Sequence, residues 1–211
     1  MFQVDRTRIL QADEIAAVVA DCKQRMKRAP TMEVNLLVFR LSCQFGLRRK
    51  EIAGLQMRDL VLFGPRPHIV IRADNTKGRE GKRRKRIVPM WWEQEPNYPR
   101  RSISSWFDRR TAAGASGSDP FLCSMRSGYA GQALHLCRVP SHWVTAIRCL
   151  GSQRIEQVSI HKGRHTFISH ALASGRSLAE VRDAAGHSSI AVTDVYVHAI
   201  ETGGLPSVFN C

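Results

Sequence analysis

The stretch SIHKGRHTFISHAL, residues 159–172, decides how the rest of the chain is read. His161 and Arg164 stand three residues apart at the start of a helix, which places both side chains on one face near its positive end. Unpaired backbone N–H groups and a guanidinium both address phosphate oxygens, so the pair outlines an anion site. The H-x-x-R pattern alone is weak, because chance produces it often. It gains weight from what lies downstream. His187 follows Arg164 by 23 residues, and Tyr196 follows nine later, in GHSSIAVTDVYVH (186–198).

A tyrosine hydroxyl has a pKa near 10, so about one in a thousand is ionised at pH 7. It becomes a nucleophile only beside cations or a base. Alone, Tyr196 reads as a half-buried aromatic. Upstream, however, Arg48 lies in FGLRRKEIAGL (45–55), just behind the glycine that stops a helix, whereas Arg49 fits a solvated helix start.

The bulk numbers agree with an anionic partner. The chain has 211 residues, with 32 Lys and Arg against 18 Asp and Glu, a formal charge of +14. Such a balance favours nucleic acid. Hydrophobic residues make up 43%, enough for a core. Apolar runs such as IAAVVA (15–20) and NLLVF (35–39) are too short to cross a bilayer, and MFQVDRTRIL lacks a signal-peptide core. The expectation is a cytoplasmic, nucleoid-associated protein with no membrane partner. Six cysteines show no C-x-x-C pair and read as reduced thiols. Cys123, His135, Cys137 and His142 match no standard zinc spacing, so no metal is expected.

Periodicity predicts helices over residues 13–26, 31–45, 102–110, 164–174, 177–185 and 190–198, with a short one in LRRKEIAGLQMRDLVL (47–62). HIVIR (68–72) and RIVPM (86–90) read as strands of a basic β-hairpin. Their linker carries Lys77, Arg79, Lys82, Arg83, Arg84 and Lys85, the candidate DNA contacts. Residues 120–160 give no clear reading. The fold class expected is α+β, mainly α-helical, with a small antiparallel β-sheet.

The ordered series Arg48, Lys77, His161, Arg164, His187, Tyr196 is much harder to produce by chance than any pair within it. In GLRRKEIAGL, TKGREGKRRKRIVPM, HKGRHTFISHALASG and GHSSIAVTDVYVH the chain resembles the tyrosine recombinases, or phage integrase family, from about residue 8 to 200. The resemblance implies one catalytic domain over 1–211, with 201–211 as a tail, and a site-specific recombinase that needs no cofactor. It implies that Tyr196 attacks a DNA phosphate to give a 3′-phosphotyrosyl link, with Arg48, Arg164 and His187 stabilising charge. Lys77 would protonate the leaving oxygen, and His161 would assist proton transfer. Double-stranded DNA and a homo-oligomer, dimer or tetramer, on that DNA are the implied partners. An inactive DNA-binding regulator and a type IB topoisomerase-like enzyme are the rival readings.

The chain departs from the family pattern in places. Lys82 rivals Lys77 on the hairpin, and Gly163 stands where the family more often has leucine, a small change on its face. His165 and His198 fit family positions without a necessary catalytic role, and His170 reads as packed or surface. The N-terminal core-binding domain of most relatives is absent from these residues, so phosphate contacts would supply much of the affinity and make it salt-dependent. Leu205, Val208 and Phe209 would either dock on a neighbouring protomer or belong to a frayed tail.

Overall fold

A computed structural model of the chain describes residues 6–76, 84–91 and 98–201. Helix α1 (Ala12–Met26) buries Ile15, Val18, Val19 and Cys22, the face that their spacing predicts. Its first turn is capped by Glu14, whose carboxylate accepts from the Gln11 N–H at 2.8 Å. Helix α2 (Met32–Cys43) is buried at every position. It is the central helix, with α1 on one side and later helices on the others.

Gly46 ends α2 at φ 64°, and the Leu47 N–H returns to the Leu41 carbonyl at 3.0 Å. A Cβ at Gly46 would lie 2.4 Å from the Phe167 ring, so this turn tolerates no side chain. Helix α3 (Arg49–Ala53) follows and is shorter than the sequence suggests. Leu60, counted with that helix, lies instead in strand β1 (Leu60–Val61). The helix stops because Gly54 caps it and its carbonyl accepts from Arg72 Nη2 at 2.8 Å.

Strands β2 (His68–Ile71) and β3 (Arg86–Pro89) complete a three-stranded antiparallel sheet in the order β1-β2-β3. Ile69 pairs with Val88 and Ile71 with Arg86. Helix α4 (Arg100–Ala112) is longer than predicted, and its Trp106 indole donates to the Phe121 carbonyl at 2.7 Å. The unreadable stretch resolves into α5 (Val139–Ala146) and α6 (Ser152–Gln157) with short 3-10 turns. Helices of six to eight residues carry too little periodicity to be read.

Helix α7 (Ile160–Ala173) crosses α2 and buries Thr166, Phe167 and His170. Thr166 Oγ1 accepts from the Leu10 N–H at 3.1 Å, and His170 Nε2 donates to the Leu10 carbonyl at 2.8 Å. His170 is therefore a packed core residue that ties residue 10 to α7. Helix α8 (Leu178–Ala185) starts on a Ser177–Glu180 capping box and ends at Gly186, φ 67°. Helix α9 (Ala191–Glu201) packs on α7 and α8. No helix among the described residues is long and apolar enough to cross a membrane.

Gly163 is not a small change. A Cβ there would sit 2.4 Å from Ser42 Oγ and 2.8 Å from the Trp143 ring. Trp143 is locked by its own bond to the Val158 carbonyl, 2.8 Å, and stacks on Phe39 at 5.4 Å. Gly163→Leu is expected to destabilise by about 1–3 kcal/mol through overpacking. Urea unfolding would measure it, and an unchanged midpoint would show that Trp143 swings aside freely.

Candidate active site

The site begins with a buried carboxylate. Glu51, 0% exposed, sits in the first turn of α3. Arg86 grips it with both arms, Nη1 to Oε1 at 2.7 Å and Nη2 to Oε2 at 2.8 Å. Arg48 approaches the same group twice, through Nη1 to Oε1 at 3.0 Å and its backbone N–H to Oε2 at 2.7 Å. Burial alone would raise the Glu51 pKa. The hydrogen bonds and charges of Arg86 and Arg48 outweigh it and hold the carboxyl below its ordinary range.

The second anchor is the last turn of α8. Arg86 Nε donates to the Ala184 carbonyl at 3.0 Å, Arg164 Nη2 to Ala185, and Arg48 Nη2 reaches Gly186 at 3.4 Å. Arg164 also donates Nη1 to the Gly46 carbonyl at 2.8 Å. Carbonyls at a helix C-terminus carry partial negative charge and suit cations. Burial, then Arg48 and Arg86, push the Arg164 pKa down to about 9; it stays a cation at pH 7. Among the described residues, three guanidinium groups face one carboxylate, which leaves the cluster with an excess of positive charge. Such a site attracts an anion.

His187 follows the glycine turn, and its Nδ1 lies 2.9 Å from Thr193 Oγ1. Burial and then Arg164, Arg48 and Arg86 lower its pKa to about 4. Tyr196 on α9 is 4% exposed. Its hydroxyl lies 2.7 Å from Nδ1 of His165, and burial pushes it up to about 12 against the pull of Arg164. His161, in the first turn of α7, is exposed.

The structure thus brings Arg48, Arg164, His187 and Tyr196 to one place, where α3, α7, α8 and α9 meet, with His161 at its exposed rim. Arg84 and Lys85 are exposed ahead of β3, while Lys77, Arg79, Lys82 and Arg83 lie outside the described residues. So do Leu205, Val208 and Phe209, and the His198 side chain. Among the described residues no three His, Cys, Asp or Glu side chains gather to hold a metal. His142 turns instead to Asn35 Oδ1 at 2.6 Å.

Sequence reasoning missed Glu51 and Arg86, and gave His165 no necessary catalytic role. Glu51 was findable as the acidic third residue of a helix that Arg48 caps. Strand alternation places Arg86 on the same buried face as Val88, a signal hidden by the run of five basic residues it ends, 82–86. His165 fits a family position beside Arg164, but nothing in the sequence sets it against Tyr196.

The depressed histidines set a pH expectation. His165 and His187 have folded pKa values of about 4 against 6.5, so the unfolded chain binds more protons as pH falls. Their stability contribution is complete above pH 6.5 and is lost as pH falls toward 4. Allowing for partial exposure, a loss of the order of 1 kcal/mol, or about 2–4 °C in Tm, is expected across that window. Replacing both histidines with glutamine should flatten that part of the Tm profile; an unaltered slope would assign it to carboxylates.

The chain belongs to the phage integrase family, whose model matches residues 8–202. It is 28% identical over 153 residues to tyrosine recombinase XerC of Pelobacter propionicus, covering 72% of this chain and 43% of that protein. With XerC of Roseiflexus sp. it shares 24% over 173 residues, 81% of this chain and 50% of that one. The chain thus spans about half the length of these relatives. A crystal structure of XerH bound to its palindromic difH substrate, a post-cleavage complex, matches with a TM-score of 0.67 at 19% identity, over 94% of this chain and 51% of that one. XerA recombinase gives 0.65 at 19%, over 98% and 67%. The helical fold with its three-stranded sheet is that of a tyrosine recombinase catalytic domain.

Proposed function

We infer that the chain cleaves and rejoins DNA strands at specific sites through a 3′-phosphotyrosyl intermediate. The observation that carries this reading is the convergence of Arg48 and Arg164 on the carbonyls of residues 185 and 186, with His187 next in the chain and Tyr196 close enough to feel the Arg164 charge. A scissile phosphate placed there meets two guanidinium groups already fixed by carbonyls and by Glu51. Such preorganised donors stabilise the charge that builds on the non-bridging oxygens. The Tyr196 oxygen bonds to phosphorus as the bond to the 5′ oxygen breaks. Lys77 supplies the proton for that oxygen, with Lys82 as its rival, and His161 at the rim assists proton transfer there. One phosphodiester replaces another, so no nucleotide energy source is needed.

The partner is double-stranded DNA, held in part by the basic residues 77, 79 and 82–85, with homodimers or tetramers assembling on it. Its place of action is the DNA of the cytoplasm. The names of the relatives and the +14 charge support this reading.

The test uses a pool of nicked duplexes with a randomised segment. Wild type is expected to trap strands as covalent adducts resistant to detergent, and sequencing them defines the site. Tyr196→Phe should trap none. No adduct with wild type, or equal adducts with both, would leave a DNA-binding regulator. Relaxation of unrelated supercoiled plasmid at low protein concentration would point to a topoisomerase-like enzyme instead.

A further inference from the structure

Strand cleavage requires the Tyr196 phenol to lose a proton, and the site described above does not yet say to what. Tyr196 is 4% exposed and its hydroxyl is already hydrogen-bonded, so a protein group stands ready to take its proton. The group in contact is His165, with 2.7 Å between the phenol oxygen and Nδ1. The two rings are tilted by 36° with centroids 5.6 Å apart. His187 directs its own Nδ1 to Thr193, and His161 is exposed.

We propose that His165 is the proton acceptor for the nucleophile, a further catalytic residue that takes the Tyr196 proton on Nδ1 as the phenol oxygen bonds to phosphorus. The proposal rests on the strand-transfer reading above. In the step, the Tyr196 O–H bond breaks and the P–O bond to tyrosine forms. The P–O5′ bond breaks with its electron pair going to O5′, which is protonated from the hairpin cation. His165 leaves the step as imidazolium. In the rejoining step a DNA 5′-hydroxyl attacks phosphorus and gives its proton back to the hairpin amine, the P–O bond to tyrosine breaks, and the imidazolium returns its proton to the phenolate.

The surroundings fit that role. The charged and titratable groups around His165 include Lys162, Arg164 and His161 on its own helix, Tyr196 on α9, and His187 beyond the α8 turn. Burial first, then Lys162, Arg164 and His161, lower its pKa to about 4, so it is neutral at pH 7 with a nitrogen free of a proton to accept the phenol. With tyrosine at about 12, the resting pair does not transfer its proton. The phenol becomes acidic only as its oxygen bonds to phosphorus, so proton transfer and attack are coupled. An incoming phosphate anion opposes the cations that depress His165 and brings its pKa toward the operating pH, where a general base works best.

The experiment uses the duplexes trapped by wild type, with an oxygen or a sulfur at the 5′ leaving position. His165→Ala is expected to slow single-turnover cleavage by about 10²–10³-fold, the scale of a lost general base. Its rate should rise about tenfold per pH unit from 6.5 to 9, where hydroxide must replace the imidazole, while wild type stays level. The defect should persist on the sulfur substrate, which needs no leaving-group proton, whereas that of Lys77→Ala should disappear. His165→Gln keeps a hydrogen-bond acceptor but cannot take the proton, so it should behave as His165→Ala. A level wild-type-like profile in His165→Gln would reduce His165 to a positioning group and overturn the proposal. Should both variants fail to fold, nitrogen NMR of the wild-type chain decides. A proton on Nε2 supports the proposal, and a proton on Nδ1 overturns it. Absence of any wild-type adduct would instead overturn strand transfer itself.

Discussion

Glu51→Gln is expected to cost about 3–5 kcal/mol of folding stability, because it leaves Arg86 buried and charged without a counterion. The carboxylate takes two bonds from Arg86 and two from Arg48 and is wholly buried. A glutamine oxygen accepts from one guanidinium arm, while its amide meets the other donor to donor. The folded-state pKa of Glu51 is depressed, so its contribution is present above the unfolded carboxyl value and vanishes as pH falls below it. Urea unfolding at pH 7 should show the loss, and wild type and variant should converge in acid. Strand cleavage should be lost too, since Arg48 loses the group that aims it. The double variant Glu51→Gln, Arg86→Met should regain part of the stability and none of the activity. A single variant within about 1 kcal/mol of wild type would mean that water or a rotated arginine replaces the pair readily.

Arg164→Lys is expected to lower single-turnover cleavage by about 10²–10³-fold, the scale of one lost preorganised donor. Arg164 reaches the carbonyls of Gly46 and Ala185 at once, from α7 toward both neighbouring turns. A lysine ammonium has no planar fork and holds one of these positions at a time. DNA affinity by fluorescence anisotropy should change far less than the rate, because the interaction strengthens as charge grows on the phosphate. Unaltered rate at saturating DNA with weakened binding would make Arg164 a ground-state contact only.

The parts of this molecule legible in its sequence are those with local rules. The apolar spacing of α1, the glycine stop at residue 46 and the β-branched strands each follow from neighbours within a few residues. Tyr196, Arg164 and Arg48 were legible because spacing and residue type together are rare. What escaped depends on distant partners. Nothing near Gly163 announces that Trp143 fills the space where a side chain would lie. Leu60 joined a strand because a partner at Ile69 pairs with it, not through its own helix neighbours. Glu51 and Arg86 are 35 positions apart and look like ordinary surface charges until folding buries them together.

Those sequence separations bear on how the protein is made. The bonds that shape the site join Arg48 to Gly186 across 138 positions and Arg164 to Gly46 across 118. A chain emerging from a ribosome therefore holds its arginines long before it holds the turn that aims them, and Tyr196 comes last of all. On the strand-transfer reading, a prematurely released chain lacking α8 and α9 would keep its arginines but not Tyr196, and so would have no means of cutting DNA. Under the strand transfer proposed above, the site would be silent until synthesis has passed the nucleophile, with the order of translation serving as the safety catch.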